Sequence, residues 1–104
     1  MRVSFTARHY KPSERLKQHA INQAEKLEKF FDGIISCEIV LDYQKEIQIA
    51  ELNVKVHGQI LRVAEKTDDI YKSIDMAMDK MGRRLKRYNC LLYTSDAADE
   101  EDSV

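Results

Sequence analysis

The chain opens on an alternation: Val3, Phe5 and Ala7 are interleaved with Arg2, Ser4, Thr6 and Arg8. A period of two predicts a strand with one face buried. Pro12 suits the first position of a helix, Glu14 suits its positive end, and Lys11 is a poor N-cap. Leu16, Ala20, Ala24, Leu27 and Phe31 then recur at helical spacing. Gly33 after Asp32 marks a stop, so a helix of about five turns is expected.

From Ile34 the period returns to two. Ile35, Cys37, Ile39, Leu41 and Tyr43 fall on one face, with Ser36, Glu38 and Asp42 on the other. A polar turn around Gln44-Lys45-Glu46 leads to Ala50, Leu52, Val54 and Val56, alternating with Glu51, Asn53, Lys55 and His57. Gly58-Gln59 fits a two-residue hairpin turn with Gly first, a register that pairs Val56 with Leu61 and Val54 with Val63. The last strand ends near Lys66. Thr67-Asp68-Asp69 supplies a cap and acidic charge for a second helix, whose stripe is Tyr71, Ile74, Ala77, Met78, Met81, Leu85 and Tyr88.

The order is therefore β-α-β-β-β-α. A helical crossover makes the first two strands parallel, and the hairpin links make the rest antiparallel. Each helix has one stripe to cover and the sheet has one apolar face. The expected fold is a two-layer α+β sandwich, a four-stranded mixed sheet with both helices on one face. With 104 residues there is room for one domain.

Composition narrows the function. The N-terminus lacks a signal-peptide core and no apolar run is long enough to span a bilayer, which points to a cytoplasmic protein with Cys37 and Cys90 as free thiols. His9, His19 and His57 lie on different elements without ligand spacing. No nucleophile–base set, paired-carboxylate site or Gly-rich phosphate loop is present, so no enzyme, cofactor or small-molecule substrate is expected. Tyr10 and Tyr88 have the chemistry to stack on bases, but packing at helix ends is the better explanation for them.

Charge changes the picture more. All 17 Lys and Arg precede residue 90, against 13 acidic residues in the same stretch, so residues 1–89 carry +4 within a chain of net −1. On the second helix Lys72, Lys80, Arg83, Arg84 and Arg87 project away from the apolar stripe, with Lys86 towards one flank. Arg15, Lys26 and Lys29 do the same on the first. Helices lying side by side would put these cations on one outer surface, able to neutralise phosphates. A solvated helix face, with Asp79 paired to Arg83 four residues on, fits the same residues.

Several segments together resemble one family. They are Thr6-Ala7-Arg8-His9 before Pro12, Lys26-Leu27-Glu28-Lys29-Phe30-Phe31-Asp32, Val54-Lys55-Val56-His57-Gly58, and Asp69-Ile70-Tyr71-Lys72-Ser73-Ile74-Asp75 followed by Asp79-Lys80 and a basic run. Over residues 1–89 the chain is similar to the ribosome hibernation-promoting factor and ribosome-associated translation inhibitor family. The resemblance implies a shape like a double-stranded RNA-binding domain. It implies binding to the small ribosomal subunit, over the messenger and transfer RNA sites, and inhibition of translation under stress by occlusion. It also implies ribosomal RNA contacts by Lys26, Lys29, Lys80, Arg83, Arg84 and Arg87, with Lys86 and Arg8 as further candidates. The alternatives are a generic double-stranded RNA-binding domain, against which the acidic start of the last helix argues, and a module that binds no RNA.

The family pattern stops after Asn89. The string Cys90-Leu91-Leu92-Tyr93-Thr94-Ser95-Asp96-Ala97-Ala98-Asp99-Glu100 resembles the conceptual translation of a sequencing adapter. Residues 90–104 are thus expected to be non-native or a disordered acidic tail.

Overall fold

A computed structural model describes residues 1–9 and 11–93. Tyr10 and residues 94–104 lie outside the described residues. Of the expected tail only residues 90–93 are described, where they continue the second helix instead of forming a disordered segment. The period-two segments form β1 (Arg2–Arg8), β2 (Ile34–Gln44), β3 (Ile47–Val56) and β4 (Gln59–Thr67), side by side in chain order. Helix α1 (Glu14–Lys26) and a 3-10 turn (Leu27–Lys29) connect β1 to β2, and α2 (Ile70–Tyr93) follows β4. β1 runs parallel to β2, and the two hairpins are antiparallel.

Register explains the core. Val3, Cys37, Val54 and Leu61 form one row across the sheet, and Phe5, Ile39, Leu52 and Val63 the next. Alternation turns both rows to one face, and both helices cover it. Leu16, Leu27, Ile74 and Leu85, one stripe each from the two helices, are 5%, 2%, 1% and 0% exposed. Ala20, Ala24 and Ala77 are fully buried, small enough to let each helix settle onto the strands. The helices lie side by side: His19 Nε2 on α1 is 2.9 Å from Asp75 Oδ1 on α2, and the His19 ring meets Tyr71 edge-on.

Four local expectations are corrected. The first helix begins at Glu14, because the Ser13 hydroxyl accepts from the Leu16 N–H (3.1 Å) and caps it. It is also shorter than five turns, with 13 residues before the 3-10 turn. Gly33 does not stop the helix; its bare Cα leaves room for the Phe31 ring, which a Cβ there would meet at 2.6 Å. That ring lies edge-on to Tyr88, whose hydroxyl donates to the His57 carbonyl (3.0 Å).

The second correction is at the start of β2. A register shift between Ile34 and Ser36 makes a bulge, so Ile34 is buried and Ile35 is 49% exposed. Third, Tyr43 sits at the far end of its strand, beyond the helix cover, and is exposed. Fourth, the β3–β4 turn is His57-Gly58, not Gly58-Gln59, and pairs Val56 with Gln59 and Val54 with Leu61. Gly58 takes the left-handed conformation, φ +93°. Moving the turn by one residue shifts each pair by two positions, so the same side chains stay inside.

The β2–β3 hairpin turns through Lys45 (φ +50°) and Glu46 (φ +70°). Positive φ at both central residues defines a type I′ turn, which favours Asn-Gly and strains larger side chains. Replacing the pair, Lys45→Asn with Glu46→Gly, is expected to stabilise the fold by about 1 kcal/mol, several degrees in Tm. Thermal unfolding checks this; an unchanged or lower Tm contradicts it.

Candidate nucleic-acid interface

Helix α2 is set by a local cap. Asp69 Oδ1 accepts from the Tyr71 N–H (3.0 Å), and the Ser73 N–H donates to the Asp69 carbonyl (2.9 Å). The fully buried Ser73 hydroxyl donates to the Gln48 carbonyl of β3 (2.7 Å), pinning the first turn to the sheet. With that turn fixed, 3.6-residue periodicity turns Lys80, Arg83, Arg84, Lys86 and Arg87 outward. All five are exposed.

These cations fall into distinct groups. Lys80 and Arg84 hang over the β4 flank. Lys80 Nζ is 2.6 Å from Glu65 Oε2, and Arg84 Nη1 donates to the Arg62 carbonyl (2.5 Å). Arg83 pairs with Asp79 (2.8 Å), one turn back on the helix. Asp79 lines a groove of about 290 Å³ between the helices, together with Lys26, Lys29, Phe30 and Asp75. Lys26 and Lys29 therefore share a groove with Asp79, the partner of Arg83. The Phe30 ring closes its end by packing over Gly82, where a Cβ would come within 3.0 Å. Lys86 and Arg87 make no ion pair among the described residues.

Arg8 is not part of this surface. It pairs in register with Asp42, alternating with Val3, Phe5 and Ala7, and so lies on the sheet face opposite the helices. Asp42 on that face is buried and accepts from the Tyr43 N–H and from Gln44 Nε2; its Oδ1 lies 2.6 Å from His9 Nδ1. The hydrogen bond to His9 is the main cause of a carboxyl pKa below its usual value. Its contribution to stability is therefore present above the ordinary carboxylate range and is lost as pH falls through the lowered value.

Glu65 went unnoticed in the sequence, although the signal was there. It continues the inward phase of Leu61 and Val63, so it faces the helix layer and meets Lys80 at the layer's edge. Exposed pairs such as Arg83–Asp79 contribute only about 0–1 kcal/mol, which leaves these cations free to exchange a carboxylate for a phosphate.

Burial, with Glu38 nearby, pushes the Cys37 thiol up to about 11, so it stays protonated and shielded at neutral pH. Among the described residues no group of three or more His, Cys, Asp or Glu side chains is placed to hold a metal ion. Among the same residues no helix is long and apolar enough to cross a membrane.

Fold and surface together define a class: a small β-α-β-β-β-α sandwich whose outer helix face carries a groove lined by lysines and aspartates and a row of exposed cations. Comparison with known proteins gives that class a family. A family profile described as sigma 54 modulation protein / S30EA ribosomal protein matches residues 3–90, and the chain belongs to that family. Ribosome hibernation promoting factor of Klebsiella oxytoca is 31% identical over 88 residues, 85% of this chain and 93% of that protein. The Escherichia coli K12 protein of the same name is 26% identical over the same span. Among solved structures, a ribosomal subunit interface protein from Coxiella burnetii superposes with TM-score 0.81 at 24% identity, covering 86% of this chain and 99% of that one. The Thermus thermophilus Protein Y N-terminal domain gives 0.78 at 25% identity, covering 85% and 99%.

Proposed function

We propose that this protein is a ribosome-binding hibernation factor that works in the cytoplasm and inhibits translation under stress. The observation that carries this reading is the alignment, over nearly their whole length, with ribosome hibernation promoting factors. In the finer reading it binds the small ribosomal subunit through ribosomal RNA and occupies the channel for messenger and transfer RNA. The groove lysines Lys26 and Lys29, Arg83 beside them, the flank cations Lys80 and Arg84, and Arg87 with Lys86 supply phosphate contacts. Arg8 would touch RNA only from the opposite side of the sheet. Specificity then comes from channel shape and phosphate spacing more than from base edges. No cofactor or small-molecule substrate enters this mechanism. Residues 1–89, the span of the family resemblance, carry it.

The test is co-sedimentation with purified ribosomal subunits, together with inhibition of a cell-free translation reaction. The full chain and a chain ending at Asn89 should both sediment with small subunits and block initiation. Absence from the small-subunit fraction at physiological salt would reject the reading.

Glu65 and Asp79 compete with RNA for Lys80 and Arg83. Glu65→Gln and Asp79→Asn are each expected to tighten ribosome binding roughly 2- to 5-fold at low salt, the equivalent of about 0.5–1 kcal/mol per released pair. Titration against small subunits at two salt concentrations checks this. Weaker binding by either variant would mean that the carboxylates orient the cations and do not compete for them.

A further inference from the structure

The sheet face turned away from the helices carries a second cation-bordered site. It lies where β1 ends and β2 turns into β3, a cavity of about 590 Å³ lined by His9, Lys45, Ile47, Ile49 and Lys66 among others. Register places Ile49 between Asp42 and Lys66, with Arg8 beyond Asp42 in the same row. Ile47 is 43% exposed, so the site has an apolar floor open to solvent. Lys45, at the tip of the turn, and Lys66, on β4, stand at its edges and are both exposed.

Two carboxylates lie near these cations. Asp42 is held by His9, the Tyr43 N–H and Gln44 and carries its charge beside Arg8, and Glu46 is the acid in the turn, so the three cations Arg8, Lys45 and Lys66 outnumber two acids. An apolar floor rimmed by cations fits a ligand that has a flat, weakly polar body and an anionic group. The volume falls within the range of about 300–1,000 Å³ seen for small-ligand sites.

We propose that this open-face site binds an unpaired nucleotide, its base on Ile47 and Ile49 and its phosphate between Lys45 and Lys66. An aliphatic floor buries the face of a base without reading its edges, so such a site is tolerant of sequence, and the phosphate supplies the salt-dependent part of the affinity. The same chemistry is offered by a free mononucleotide and by a single-stranded segment of RNA. This inference does not depend on ribosome hibernation: it concerns the free protein and a face that the helix cations do not share.

The experiment is an NMR titration of the isotope-labelled full chain with uridine monophosphate, with a short oligouridylate and with inorganic phosphate. Saturable shifts of the Ile47, Ile49 and Lys66 amides are expected at ligand concentrations of about 1 mM or below. Lys45→Glu with Lys66→Glu should weaken this response at least tenfold with the rest of the spectrum unchanged, and the milder Lys66→Gln should weaken it less. The Arg84→Glu, Arg87→Glu variant should keep it. Comparable affinity for both nucleotide probes supports a free nucleotide as the natural ligand; tenfold tighter binding of the oligouridylate supports RNA. Shifts confined to helix amides, no saturation with either probe, or an equal response to inorganic phosphate would overturn the proposal.

Discussion

Reversing Arg84 and Arg87 to Glu is expected to release the protein from small ribosomal subunits while leaving it folded. Both side chains are exposed, Arg87 away from the Ile74–Leu85 stripe and Arg84 over the β4 flank, so their replacement opens no cavity. Arg84 loses one hydrogen bond to the Arg62 carbonyl, and Arg87 loses no ion pair among the described residues. Stability should therefore change by about 1 kcal/mol or less. Binding should change far more. Each arginine that holds a phosphate contributes a charge-assisted hydrogen bond of about 1.5–3 kcal/mol, so losing two weakens binding by roughly 100-fold or more. Reversal also places two anions against a polyanion, and the salt dependence of the residual binding should flatten. Removing Lys26 and Lys29 from the groove should weaken binding further. Substitutions at Ser36 and Glu38, on the other sheet face, serve as controls. A double variant that still co-sediments and inhibits translation at physiological salt would show that the basic face of α2 is only solvated.

Leu52→Ala is expected to cost about 2–5 kcal/mol of folding free energy, by far the largest stability effect considered. Leu52 is fully buried on a central strand, between Ile39 and Val63 in its row, on the sheet face that the helices cover. It belongs to one hydrophobic cluster with the equally buried Met81 and Leu85, and the rigid sheet limits collapse into the space left behind. Small domains are stable by only about 5–15 kcal/mol, so the variant should melt roughly 10 °C or more below the parent. Urea unfolding measures the loss. Ile35→Ala is the informative comparison, because the bulge exposes Ile35 and its truncation should cost no more than about 0.5 kcal/mol. Similar losses for both variants would contradict this account of the core.

The structure also explains where sequence reading erred. Ile35 carries the right residue type for the inner face, but the bulge at Ile34–Ser36 inserts one position and shifts the phase. Gly58 is the turn glycine either way; whether it comes first or second in the turn depends on which cross-strand pairs close, and that is a property of two strands together. Gly33 has the ordinary signature of a helix end, yet the reason for it is the Phe31 ring, which reaches Tyr88 across the fold.

The candidate interface divides in the same way. Periodicity alone turned Lys80, Arg83, Arg84 and Arg87 outward, because on a helix the direction of each side chain follows from local geometry and from which stripe is apolar. By itself the chain determined its elements, their order, the two buried stripes and the outward direction of its helix cations. Only the tertiary structure decided that Lys80 meets Glu65, that Lys26 and Lys29 share a groove with Asp75 and Asp79, and that Arg8 lies on the far side of the sheet with Lys66. The physical reason is range. Periodicity is written in neighbours three or four residues apart, whereas charge partners are set by strand register and helix placement, which bring together residues far apart in the chain.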